Sequence, residues 1–212
     1  MKKHILCLGD SNTHGYCADP NDCADHGIRF IENERWPCLL QKALGDEYLI
    51  PDEGLAGRTT VFQVALHDSM DALSVAYPLL KCHEYIDLLV IMLGTNDTKD
   101  RFGMNAACIA LGMERLVRKC MSVDCWGPNK PNVLIVAPPH IGEELNDPCM
   151  GTGCAAKSRE LAHYYKIKAD LLGCHFMDAN GCEFNKIDFM HLTRNGHAQL
   201  AEKLAALIPQ IL

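Results

Sequence analysis

The sequence predicts a three-layer α/β/α sandwich built on a parallel sheet, and three observations carry that prediction. Apolar runs of strand length recur along the 212 residues. Several of these runs are continuous rather than alternating, as strands buried on both faces must be. Segments with helical spacing lie between them, which is the order that parallel connections require.

In order, the first strand reads HILCL at His4–Leu8 and stops at Gly9, after which Asp10, Ser11 and Asn12 enter a turn. The second is the short YLI at Tyr48–Ile50, followed by EGLAGRTT at Glu53–Thr60. The third, IDLLVIML at Ile86–Leu93, runs into LGTND at Leu93–Asp97. NVLIVA at Asn132–Ala137 and HFMD at His175–Asp178 supply the fourth and fifth. Helical spacing is clearest over Asn105–Met121, Ala155–Leu172 and Thr193–Leu207. Two loop-rich insertions, Tyr16–Arg35 and Gly142–Gly153, are long for a compact domain, and such segments tend to be functional or interfacial. No repeat, low-complexity tract or linker divides the chain, so residues 1–212 read as one domain.

Composition narrows the function classes. A hydrophobic content of 48% with 22% charged residues is that of a globular protein with a substantial core. Net charge is −7, from 20 basic and 27 acidic residues, without a Lys/Arg cluster, and nucleic-acid binding needs a basic footprint. The N-terminal apolar run is too short for a secretory signal and no run reaches membrane-spanning length, so the expectation is a cytoplasmic protein without a membrane partner. The twelve cysteines are scattered without a C-x-x-C pair, which favours reduced core residues over a disulfide scaffold or a zinc site. Cys149 with Cys154 and Cys17 with Cys23 remain open as pairs. Neither metal nor cofactor is expected.

Ligands of open parallel sheets bind beyond the carboxyl ends of the strands. There the sequence puts Ser11 after the first strand, Gly57 after the second, Asn96 and Asp97 after the third, and Asp188 and His191, in DFMH, after the fifth. Each has a plainer role open to it: Asp10, Ser11 and Asn12 as turn or cap residues, Gly57 as a turn glycine, Asn96, Asp97 and Asp188 as helix caps, and His191 as one histidine among ten. Their joint placement on successive loops is what those roles do not predict, since a serine, an amide, a backbone-exposing glycine and an Asp/His pair are the parts of an acyl-transfer site. A phosphate or nucleotide binder on a flavodoxin-like scaffold would also carry polar loops here, but neither G-x-G-x-x-G nor G-x-x-x-x-G-K-[ST] follows the first strand. A non-catalytic binding module remains the alternative from another class.

These segments resemble the SGNH hydrolases, the GDSL-type esterases and lipases, whose blocks match Ser11 in GDSN, Gly57 in GLAGRTT, Asn96 in GTND, and Asp188 with His191 in DFMH. Asn12 stands where the family name implies leucine. The resemblance is nearest to the bacterial arylesterase/acyltransferase branch and extends over the whole chain. It implies a flavodoxin-like five-stranded sheet of order 2-1-3-4-5 and a metal-independent serine esterase. In that reading Ser11 is the nucleophile, His191 the base and Asp188 its partner; Ser11, Gly57 and Asn96 form the oxyanion hole, and Asp10, Asn12 and Asp97 support the loops. The expected substrates are small esters with short acyl groups, chiefly acetyl, with acetylated carbohydrate as the natural possibility and acyl transfer to alcohols as a second activity. A homo-oligomer is expected as well, because Ile28, Phe30, Ile31 and Trp36 place apolar groups among the charges of the first insertion.

Overall fold

The computed structural model describes residues 2–212. Its sheet is parallel and runs β2-β1-β4-β5-β6, with β1 at Lys3–Gly9, β2 at Tyr48–Leu49, β4 at Leu88–Met92, β5 at Val133–Ala137 and β6 at His175–Asp178. A further short strand, β3 at Asp52–Gly54, also pairs with β1. The expected second strand is therefore interrupted: β2 and β3 lie end to end along one edge of β1, separated by Ile50 and Pro51. Proline supplies no amide to a ladder, so such a break belongs at a sheet edge. With β2 and β3 counted as one edge strand, the order is the expected 2-1-3-4-5.

The continuous apolar strands are explained by the two cores they separate. Along β1, Leu6 and Leu8 face one core while Ile5 and Cys7 face the other. The same alternation puts Leu89 and Ile91 of β4, and Val133, Ile135 and Ala137 of β5, on the first side, and Leu88, Val90, Met92, Leu134 and Val136 on the second. Both sets are buried, because helices cover both faces.

On the first face lie α3 at Ala72–Cys82, α4 at Ala106–Met121 and α5 at Cys154–Leu172; on the second lie α2 at Trp36–Leu44 and α6 at Arg194–Ile211. The boundaries of α4, α5 and the start of α6 follow the periodicity, and α6 extends beyond the expected Leu207. Asn105 caps α4 by accepting from the Cys108 amide at 2.9 Å, and Thr193 caps α6 by accepting from the Gly196 amide at 3.0 Å. Proline inside α3, at Pro78, did not end that helix, whose N-terminus Asp71 caps through the Ser74 amide at 2.8 Å.

The first insertion is organised around one buried carboxylate. Glu34 accepts from the amides of Ala24 (3.0 Å) and Ile31 (3.2 Å) and pairs with Arg194 of α6 at 2.8 Å. Phe30 and Trp36, expected at an interface between copies, are instead each 1% exposed within their own chain. Trp36 donates through Nε1 to the Asn12 carbonyl at 3.1 Å, and its amide donates to His197 Nδ1 at 3.3 Å. All twelve cysteines are free thiols, including Cys17, Cys23, Cys149 and Cys154, and burial pushes the Cys7 and Cys120 thiols well up. Among the described residues no helix is long and apolar enough to cross a membrane, and no group of three or more His, Cys, Asp or Glu side chains is arranged to hold a metal ion.

Candidate active site

The serine is positioned by regular structure. β1 ends at Gly9, and Ser11 opens the one-turn helix α1 at Ser11–His14. The approach is tight: a Cβ on Gly9 would lie 1.9 Å from Thr13 Oγ1, so the turn from strand to helix admits no side chain there. Asp10 caps α1, its Oδ1 accepting from the Asn12 amide at 3.0 Å. As the first helical residue, Ser11 has an amide with no acceptor inside the helix.

The histidine reaches the serine from the opposite end of the chain. His191 Nε2 lies 2.8 Å from Ser11 Oγ, and its Nδ1 lies 2.5 Å from Asp188 Oδ2. Between Asp188 and His191 the chain is not helical: Lys186–Asp188 make a turn and the following residues bend, with Phe189 at φ 56°.

Hydrogen bonds from side chains to backbone hold that segment. Asp188 Oδ1 accepts from the amides of Met190 and His191, both at 3.1 Å, and from Asn185 Nδ2 at 2.9 Å. Asn185 Oδ1 accepts from the amides of Ile187 and Asp188, each at 2.8 Å, while its Nδ2 also donates to the His191 carbonyl at 2.8 Å. Asn12 ties the segment to α1: its Oδ1 accepts from the Leu192 amide at 2.9 Å and its Nδ2 donates to the Met190 carbonyl at 3.3 Å.

Burial alone would raise the Asp188 carboxyl, but the hydrogen bond and charge of His191, with the two amides, outweigh it and hold the group at about 2. Asp188 is thus a carboxylate at neutral pH, able to hold the imidazole with Nδ1 protonated and Nε2 free to take a proton from Ser11. Tyr16 packs on the His191 ring with centroids 4.6 Å apart.

Gly57 and Asn96 face the same space. Ser11, Tyr16, Ala56, Gly57, Asn96 and His191 line a cavity of about 210 Å³. Gly57 has φ 86°, a left-handed conformation that favours glycine, and a Cβ there would come within 3.0 Å of Met70 Cε. Among the described residues the amides of Ser11 and Gly57 have no intramolecular acceptor, and Asn96 Nδ2 donates to the Arg58 carbonyl at 3.1 Å. The buried Arg58 in turn bridges the loops, donating to the carbonyls of Gly9 (3.2 Å) and Glu53.

Asp10 and Asp97 lie behind this wall rather than on it. Asp97 Oδ1 accepts from the Thr60 amide at 2.9 Å and from its hydroxyl at 2.5 Å. Both aspartates keep a buried Oδ2 without a partner, and burial raises each carboxyl to about 6. Asn185, Arg58 and Tyr16 were not singled out in the sequence. Asn185 stands three residues before Asp188, but one asparagine in a polar loop carries no signal without the contacts it makes.

Likenesses to known proteins identify the family. A family model, the GDSL-like lipase/acylhydrolase family, matches residues 7–199. Among solved structures, an aryl esterase from M. smegmatis is 32% identical, with a TM-score of 0.88 over 99% of this chain and 100% of that one. A carbohydrate acetylesterase from Sinorhizobium meliloti is also 32% identical, with a TM-score of 0.88 over all of both chains. A carbohydrate acetylesterase family member from the same organism is 35% identical, with a TM-score of 0.89 over 99% of each chain. No curated protein sequence matches. The chain belongs to the GDSL-like lipase/acylhydrolase family and is a carboxylic ester hydrolase of the SGNH type.

Proposed function

We propose that this protein cleaves short-chain acyl esters, chiefly acetyl esters, through an acyl-enzyme on Ser11. One observation carries the reading: an unbroken path of hydrogen bonds, Ser11 Oγ to His191 Nε2 at 2.8 Å and His191 Nδ1 to Asp188 at 2.5 Å, opening on a small cavity.

A serine hydroxyl is a weak nucleophile at neutral pH and needs a base within hydrogen-bond reach. As Oγ attacks the ester carbonyl carbon, its proton passes to His191 Nε2, and Asp188 stabilises the imidazolium. The carbonyl π bond opens onto oxygen, whose negative charge the amides of Ser11 and Gly57 and the Asn96 side chain receive. Collapse re-forms the carbonyl, breaks the bond to the alcohol oxygen and returns the proton from Nε2 to that oxygen. Water, deprotonated by His191, then releases the acid and restores Ser11. An alcohol in the place of water makes the same step an acyl transfer.

The small cavity supports short acyl groups. The carbohydrate acetylesterases among the similar structures support an acetylated carbohydrate as the natural substrate. A homo-oligomer is part of the same reading. Its support in the first insertion is narrower than expected, resting on Ile28, which is 72% exposed. Light scattering at a mass near the 23.5 kDa of one chain would remove it.

The decisive experiment treats the protein with a serine-directed phosphonate and maps the label, beside a panel of esters graded by acyl length. Stoichiometric labelling at Ser11, loss of turnover in Ser11→Ala and a decline beyond butyryl are expected. Labelling elsewhere with full activity in Ser11→Ala, or rates that climb past octanoyl, would overturn the mechanism or the substrate class respectively.

A further inference from the structure

The second insertion is clamped to the segment that follows Asn96, and the clamp leaves one charged side chain over. Lys157 Nζ donates to the Thr98 carbonyl and to Asp100 Oδ1, both at 2.9 Å. The Asp100 amide donates to the Met150 carbonyl at 3.0 Å, and the Thr152 amide donates to Asp100 Oδ2 at 2.6 Å. Thr98 and Asp100 are thus engaged on either side of Lys99, which is extended (φ −52°, ψ 133°) and lines the cavity of Ser11, Asn96 and His191.

The Lys99 side chain makes no hydrogen bond or ion pair among the described residues, although its backbone amide donates to the Asn96 carbonyl at 3.3 Å. Burial lowers its pKa, Arg101 adds to that, and the charges of Asp147, Asp10 and Cys149 oppose it. Lys99 is half-buried and lines the cavity with no protein acceptor for its ammonium, so a ligand bound there can supply one.

Asp147, from the second insertion, lines the same cavity. Its Oδ1 accepts from the Cys149 amide at 2.7 Å, and its other oxygen has no donor among the described residues. The cavity therefore presents a free cationic donor and a free carboxylate acceptor that are not paired with each other. An anionic substrate would satisfy Lys99 but meet Asp147, with Asp188 and Asp10 close behind. A hydroxyl satisfies both, since it accepts and donates.

We propose that Lys99 and Asp147 form a hydroxyl-recognition pair that selects acetyl esters whose alcohol half is a polyol with a free hydroxyl near the ester. The pair rests on the reading of Ser11 as nucleophile and adds to it the residues that choose the alcohol. It predicts that a free hydroxyl, not the sugar ring itself, is what is recognised.

The test compares kcat/KM for a monoacetylated methyl glucoside with that for para-nitrophenyl acetate, which has no hydroxyl, and includes the fully acetylated glucoside as the same ring without one. In Lys99→Met and in Asp147→Asn the ratio of the first to the second should fall about tenfold, the scale of one hydrogen bond to a charged group, with most of the loss in KM. The fully acetylated sugar should show no such fall. Ratios within twofold of wild type in both variants, while Ser11 still labels, would overturn the pair alone. A wild type that hydrolyses none of these esters would overturn the Ser11 reading and the pair with it.

Discussion

The serine and the histidine of the site are held in opposite ways. Ser11 sits at the junction of β1 and α1, where sheet pairing and a helix cap fix the backbone. His191 sits on a segment with no regular structure, held by Asn185, Asp188 and Asn12 through hydrogen bonds from side chain to backbone. The first kind of support spreads over many main-chain bonds, whereas the second rests on a few side-chain atoms. Single substitutions should therefore damage the histidine side more than the framework around the serine.

The largest effect should come from Asp188→Asn. It keeps the shape but replaces the carboxylate that orients the imidazole, and kcat should fall by about 10⁴, as when a triad carboxylate is lost. Steady-state kinetics check it; a fall below tenfold would mean that another group orients His191. Next, Asn96→Ala removes a donor fixed beside β4 and should lower kcat by about 10²–10³ with KM little changed, if Asn96 serves the oxyanion.

A smaller effect sharpens the contrast on the histidine side. Asn185→Ala deletes hydrogen bonds to the Asp188 and His191 backbone and leaves buried groups unpaired. Stability should drop by about 1–3 kcal/mol, with kcat falling as well, measured by denaturant unfolding and kinetics on one preparation. A variant that loses stability but keeps kcat would show that the loop refolds around His191 without it.

The least dramatic change is stabilising. Asp97 has its carboxyl raised by burial to about 6, above the usual carboxylate value near 4. Between about pH 4 and pH 6 the unfolded chain has released that proton and the folded chain has not. The native state therefore loses stability as pH rises through that interval, and the deficit stays constant above it. Asn can keep the acceptor facing Thr60 without the charge, so Asp97→Asn should raise Tm at pH 8 and leave it nearly unchanged at pH 4. Asp188 works the other way: its depressed carboxyl stabilises the fold above about pH 4, and that contribution is lost as pH falls toward 2.

What was legible in the sequence follows the same division. Periodicity exposed the buried strands and the long helices, because residues alternating between two apolar cores leave an uninterrupted apolar run. The serine, the glycine, the asparagine and the Asp/His pair were visible as motif blocks, since each follows a strand whose end the pattern marks. The interruption of the edge strand was less visible, although Pro51 stood in the sequence as its cause.

Tertiary structure alone decided the rest, and the reason is range. Ser11 and His191 are 180 residues apart, and nothing local to either predicts a separation of 2.8 Å. Phe30 and Trp36 read as interface residues because their burial depends on packing against α6, whose His197 lies 161 residues from Trp36. Asn185 and Lys99 look like ordinary polar loop residues until their surroundings are known: the side chain of the first is saturated with partners, and that of the second has none among the described residues. Local pattern records which chemistry a chain carries and in what order; which groups meet, and which stay unpaired in a cavity, depends on how distant segments pack.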